Sequence, residues 1–463
     1  MSNSKDLTLE DRELGTKPIS SLFLKYSLIA LIGLAAQGVM VILEGFIVGY
    51  GMGERGFAIV SLIMPLETFN ASLNSLFGFG VSTIAGVKMG NGDFEGARKS
   101  VGQTTWFTFL FSVTISFIAI VAAPTVASFL GAPAELQDEV VLFIRIYFCI
   151  CPFSITGQTL SYVGRVDEKP GLVSAVMTLG SIFGTCVLYF GLIQLKAGVP
   201  AIAFYYSLST GVYFALIFYF FFNKKTKLKI RFSDIKINFK EIYEVVKIGL
   251  PTFLVSASLA VYAIVINNKL SVGGELELAA YGLVNGYVLY FIALVTLAFQ
   301  GGMAPIVSYN YGAKNYGRLK QVLISGNIIS IVIVQVFCII FYFLATPLNA
   351  LFASGETELI EMASRATKIV IFLYSIGSIS GMMSVYYQSM EKLVKATFFG
   401  ACRYIVFALP LLFILPNIMD PVDGVWFAHP YSDILTGLFC VVFIVLEVKL
   451  LKKDQAALES KKA

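Results

Sequence analysis

Charge is the scarcest property of this chain: Asp, Glu, Lys and Arg make up 14% of its 463 residues, against about 25% in soluble domains. Hydrophobic residues reach 57% and mean hydropathy +0.80, which excludes a soluble protein and places the chain in a lipid bilayer. Histidine is nearly absent. With His429 alone, there is no catalytic cluster and no His/Cys metal set, so no enzyme activity, no metal and no cofactor are expected. There is no GxxxxGK[ST] nucleotide loop and no soluble domain to hold one, so energy must come from an ion gradient. No basic soluble face exists for a nucleic acid. The six cysteines (Cys149, Cys151, Cys186, Cys338, Cys402, Cys440) all fall in apolar segments and read as small packing residues. The leader before the first apolar run has mixed charge and no short apolar region with a small-residue cleavage site, so a removable signal peptide is not expected.

What is abundant is apolar runs of membrane-spanning length. A helix needs about 20 such residues to cross a hydrocarbon core of roughly 30 Å. Twelve runs qualify: roughly 20–48, 57–82, 101–125, 139–163, 171–193, 199–222, 243–268, 278–305, 321–346, 359–389, 393–416 and 425–449. The tenth is the weakest, because Arg365 and Lys368 fall in its first turns. Lys and Arg gather in alternate connections: Lys88, Arg98 and Lys99; Arg165 and Lys169; Lys314, Arg318 and Lys320; Lys392 and Lys395; and above all 223–240. The opposite connections GAPAELQDE, LFASGETE and LPNIMDPVDG contain neither residue, and only Arg55, Lys196 and Lys269 sit in the other outside loops. By the positive-inside bias both termini are cytosolic, which requires an even number of spans.

The two halves echo one another. Segments 77–99 and 298–320 align at a constant offset of 222, so that Gly80 meets Gly302, Gly90 meets Gly312, Phe94 meets Tyr316 and Arg98 meets Lys320. At an offset of 224, Gly157 meets Gly381 and Tyr162 meets Tyr386. Six spans per half give both halves the same orientation, hence parallel repeats about an axis along the membrane normal. The expected fold is an all-α membrane protein of twelve transmembrane helices in two six-helix parallel-repeat lobes. Its parts are a cytosolic tail (1–19), an N-lobe (20–222), a basic cytosolic linker (223–242), a C-lobe (243–449) and a second cytosolic tail (450–463).

Against this apolar background a few polar side chains stand out. Glu44 is a lone carboxylate in the first span; such a charge at the bilayer centre costs about 2.5–3.5 kcal/mol on insertion scales, so it marks a functional site facing a cavity. Its structural alternative is a hydrogen bond to Gln37, seven residues earlier. Glu67 is the second buried carboxylate, and Glu67, Asn70 and Asn74 share one helical face. That stripe reads as a cavity wall, or else as interhelical glue. A cationic substrate and a proton competing for these carboxylates make a natural exchange mechanism. In the second half the polar set is softer: Asn267, Asn268, Asn285, Gln300, Gln388 and Arg403, with Tyr287 and Met303 beside it. Met and aromatic side chains adapt to varied apolar ligands and hold cations over a ring face. Arg145 and Asp433 are further intramembrane charges, each expected to pair with a carboxylate or to snorkel to the interface. His429 reads as a surface residue near the outer end of the twelfth span.

The stretches GMAPIVSYNYGAKNYGRLK (302–320), NNKLSVGGELELAAYGLVN (267–285) and LPLLFILPNIMDPVDGVWFAHPYSDIL (409–435) resemble the multidrug and toxic-compound extrusion (MATE) family, in its bacterial branch. EGFIVGYGMGERGFAIVSLIMP (44–65) is similar to the family pattern of an acidic residue before a turn. The resemblance implies a twelve-helix antiporter in a bacterial inner membrane that exports bulky, often cationic and aromatic compounds in exchange for protons or sodium. Departures matter equally. Glu44 stands where the family usually has Asp, and Gly184 and Leu188 stand where its fifth helix usually carries Asn and Asp. The seventh span has no acidic residue beyond Glu244, and the tenth only Glu361. The coupling ion is accordingly H+ or Na+, with the loss of the fifth-helix oxygens favouring H+. The partners expected are a small cationic or aromatic molecule and the lipid bilayer, with the protein a monomer. Two alternatives stay open: a flippase of a lipid-linked sugar, which would need many cationic residues along its path, and a membrane receptor or enzyme, against which the repeat and the missing catalytic cluster speak.

Overall fold

The computed structural model describes residues 12–223, 226, 228–270, 275–352 and 356–460. Among them all regular structure is helical, as a bilayer demands of a backbone that must satisfy its own hydrogen bonds. Eleven helices are long and apolar enough to cross a membrane: Ile19–Gly53, Arg55–Gly90, Phe94–Val121, Gln137–Val166, Pro170–Gln194, Val199–Phe222, Phe239–Leu270, Ala279–Gly312, Tyr316–Phe343, Leu393–Asn417 and Pro421–Ser460. A bent pair, Thr357–Ile371 and Tyr374–Ser389, passes the same test together and makes the tenth of twelve spans in chain order. The first two spans meet at Gly53, whose φ of 57° and ψ of −141° suit a residue without a Cβ. The tenth span differs from the single helix expected over 359–389: it bends by 47° after Ile371, with neither Gly nor Pro at the break.

The repeat is carried into three dimensions residue by residue. The third span, Phe94–Val121, and the ninth, Tyr316–Phe343, begin and end at the 222 offset, and so do the starts of the short helices Ala123–Phe129 and Ala345–Phe352 that follow them. Asp93 caps the third span by accepting from the Gly96 amide at 2.8 Å, and Asn315, its repeat mate, caps the ninth through the Arg318 amide. The turn residues just before these caps, Gly92 and Lys314, both have positive φ.

The chain divides into two compact units, residues 32–250 and residues 1–31 with 251–463. The first unit has a core of Ile59, Ile63, Phe143, Ile144, Leu188 and Ile202. The basic segment before the seventh span is fastened to it: Arg98 donates to Asp234 at 2.7 Å, both side chains being buried, and Leu228 and Ile230 are buried. In the second unit, whose core includes Ile266, Val284, Val370 and Trp426, residues 12–17 are held the same way. Asn310 donates to the Leu14 carbonyl at 2.9 Å, and Arg318 to the carbonyls of Leu14 and Lys17 at 3.1 and 2.8 Å.

Asn310→Ala removes a buried donor and the acceptor that aligns Arg318. Loss of such a bond costs about 1–3 kcal/mol, so limited trypsinolysis after Arg12 is expected to accelerate roughly tenfold; an unchanged rate would mean that this tether does not hold the segment down.

Candidate ion and substrate site

The first unit gathers its polar side chains along four helices, the first, second, fourth and sixth spans. Glu44, 7% exposed on the first span, accepts from two phenols of the sixth: Tyr205 donates to Oε2 at 2.8 Å and Tyr206 to Oε1. One donor per oxygen satisfies a carboxylate that has left water. Gln37 is not its partner; seven residues away, it reaches Tyr213 instead. The sixth span thereby meets the first at two levels, Tyr205 and Tyr206 at Glu44 and Tyr213 at Gln37.

Glu67, on the second span, faces the Tyr147 hydroxyl of the fourth, while its Oε1 is buried with no hydrogen-bond partner among the described residues. Tyr206 packs edge-on against Phe143 at 6.1 Å, and Phe143 stacks at 5.6 Å on Tyr147, so a chain of rings joins Glu44 to Glu67. Asn70 donates to Tyr147, and Asn74 donates to Asn70 at 3.2 Å and to Gln158 at 3.1 Å. The Glu67–Asn70–Asn74 stripe therefore faces the fourth span. Gly184 and Leu188 supply no ligand: a Cβ on Gly184 would sit 1.8 Å from Ser209 Oγ, and Leu188 is fully buried apolar packing. The fifth span thus packs tightly on the sixth where a pair of polar side chains would have to fit.

In the second unit the singled-out residues do not form one cluster. Gln388 exchanges hydrogen bonds with Thr252 at 2.9 and 3.1 Å, Gln300 lies against Gly381, and Met303 is fully buried under Gly326. Tyr287 is 37% exposed. Asn268 is exposed, and the side chain of Asn267 lies outside the described residues.

A separate charged centre stands out there. Arg403, in the π-helical turn Cys402–Ala408 of the eleventh span, forms a two-pronged pair with Asp433 of the twelfth at 2.7 and 3.1 Å. Arg403 also stacks over Tyr374 at 4.2 Å. Asp433 Oδ1 comes so close to the tenth span that a Cβ on Gly377 would lie 1.9 Å from it. His429, one turn before Asp433, is buried against Tyr262 at 3.3 Å. That corrects the expectation of a surface histidine: the N-terminal part of the twelfth span is enclosed by the seventh and eleventh. Arg145, by contrast, is exposed. Among the described residues no group of three or more His, Cys, Asp or Glu side chains is placed to hold a metal.

Sequence reading did not single out Tyr205, Tyr206, Tyr147 or Gln158, although a Tyr-Tyr doublet inside a membrane span is a visible signal for phenol donors.

The MatE family model matches residues 29–190 and again residues 251–414, once in each repeat. The chain belongs to the MatE family. Its similarity to curated members runs nearly end to end. Multidrug export protein MepA of Staphylococcus aureus (strain MSSA476) is 25% identical over 445 residues, 94% of each chain. MepA of Staphylococcus saprophyticus is 23% identical over 452 residues, covering 96% of this chain and 97% of that one. Among solved structures, the outward-facing conformation of a multidrug resistance MATE family transporter of the MOP superfamily superposes with a TM-score of 0.88 at 19% identity, over 98% of this chain and 100% of that one. The MATE fold of two six-helix repeats is thus the fold of this chain.

Proposed function

We propose that this protein is a secondary antiporter of the bacterial inner membrane that exports cationic, aromatic drugs or metabolites in exchange for protons. Glu44 is the coupling carboxylate in this reading, and Glu67 is its partner in the same wall. The observation that carries it is the pair itself. Two membrane carboxylates stand in one wall, Glu44 sealed by Tyr205 and Tyr206 and Glu67 with a buried oxygen unpartnered among the described residues. Like charges sharing a wall resist joint ionisation, so the site favours either a proton or a cationic substrate at full charge. Export relatives of the MepA type support the transport direction.

Protons fit this chain better than sodium. A hard cation needs several oxygen ligands, yet both Glu44 oxygens are taken by phenols, and Gly184 and Leu188 of the fifth span bring no ligand. In this reading the lobes 20–222 and 243–449 rock to expose the site alternately, as parallel repeats do, with both termini cytosolic and the protein acting as a monomer. In everted vesicles, uptake of a fluorescent cation should follow an imposed proton gradient and be indifferent to sodium. Uptake driven by sodium alone would overturn the proton reading.

A further inference from the structure

The second unit carries a groove along the tenth span that the carboxylate site does not use. Three adjoining cavities of about 450, 330 and 290 Å³ share residues in sequence, the first two through Lys368 and Phe427 and the last two through Tyr342 and Phe372. We propose that this groove binds one anionic phospholipid, its phosphate on Lys368 and Ser364 and an acyl chain along the ninth span.

Polarity is graded along the groove as a phospholipid requires. At the outer end Lys368 sits beside Tyr342, at the depth where basic side chains meet anionic headgroups. Its ammonium sits 5.7 Å from the centre of the Tyr342 ring. The nearby carboxylate Asp423 is taken by Arg365 at 2.6 Å, and Glu361 lies two turns back at the exposed mouth. Ser364 is one turn from Lys368 on the same face and lines the same cavity. It is 5% exposed, and its hydroxyl has no hydrogen-bond partner among the described residues. An ammonium and a buried hydroxyl thus lack an acceptor at one spot, which a phosphate oxygen supplies.

Depth fits as well. Tyr342 is the penultimate residue of the ninth span, the level at which interfacial aromatics meet headgroups. Further in, the groove turns apolar, lined by Cys338, Ile339 and Phe372. The 47° bend after Ile371 carries the second half of the tenth span off the line of the first, and this deeper cavity lies at the bend. From Phe343 to Gln335 the ninth span covers about 12 Å at 1.5 Å per residue, enough to seat part of an acyl chain. Lys368 repels a cationic substrate, so the groove takes a different ligand from the Glu44 site and does not depend on the function assigned to that site.

The test is thermal unfolding of the purified protein in detergent with added phosphatidylglycerol, phosphatidylcholine or inorganic phosphate. Phosphatidylglycerol should raise the midpoint above the other two. Lys368→Gln should weaken its apparent affinity about fivefold, the effect of one lysine near a membrane surface. Lys368→Arg should restore it, and Lys320→Gln, at the other end of the ninth span, should leave it unchanged. Ser364→Ala should shift it in the same direction and serves should Lys368→Gln not fold. Equal stabilisation by phosphatidylcholine or by inorganic phosphate would overturn the proposal, as would undiminished phosphatidylglycerol binding in both Lys368→Gln and Ser364→Ala.

Discussion

Everted vesicles carrying Glu44→Gln are expected to show no proton-driven uptake of a fluorescent cation above vesicles lacking the protein, while the variant still inserts and folds. Glutamine keeps the length and one carbonyl acceptor of Glu44, so at most one phenol bond is lost or rearranged, a cost of about 1 kcal/mol. What it removes is the titratable charge, the only feature of Glu44 that links a proton to a cation. Energy-independent exchange of labelled for unlabelled substrate separates coupling from folding, since a folded but uncoupled carrier retains some of it. Glu67→Gln should weaken uptake of cations without abolishing proton dependence, because Glu44 remains. Proton-driven efflux that survives neutralising both glutamates would sink the shared-carboxylate mechanism.

The second large effect belongs to the Arg403–Asp433 pair. Asp433 is 0% exposed and Arg403 5%, so each desolvated charge relies on the other. Asp433→Asn or Arg403→Met alone strands its partner and should cost about 3–5 kcal/mol, read as a large drop in the thermal unfolding midpoint in detergent. The double variant Arg403→Met/Asp433→Leu replaces the pair by apolar side chains and should recover most of that loss, because removing both charges of a buried pair is often neutral or stabilising. Single variants with wild-type midpoints would mean that water reaches the pair and that it does not brace the tenth, eleventh and twelfth spans.

Much of the architecture was legible in the sequence because the bilayer enforces it. Apolar runs of the required length marked the spans. The 222 offset placed Phe94 opposite Tyr316, but the apolar runs from 101 and 321 did not show that these residues open the third and ninth helices with Asp93 and Asn315 as matching caps. The candidate site was legible only in half. Glu44 and Glu67 stood out because a membrane charge is expensive, but their partners did not: Tyr205, Tyr206 and Tyr147 are tyrosines among 23, and only helix packing distinguishes them from rings at the lipid interface. The Arg403–Asp433 pair spans 30 residues and two helices, and no local spacing announces it. His429 was misplaced because enclosure by Tyr262 is a tertiary fact. The tenth span breaks without Pro or Gly, so no local residue signals its bend.

The most direct measurement is proton release on substrate binding. Purified protein in weakly buffered detergent solution is titrated with a saturating aromatic cation, and the pH change is converted to protons per protein. Shared use of the Glu44 and Glu67 wall predicts a proton released for each cation bound, and none from Glu44→Gln. Stoichiometric binding of the cation with no proton released by the wild-type protein would contradict it.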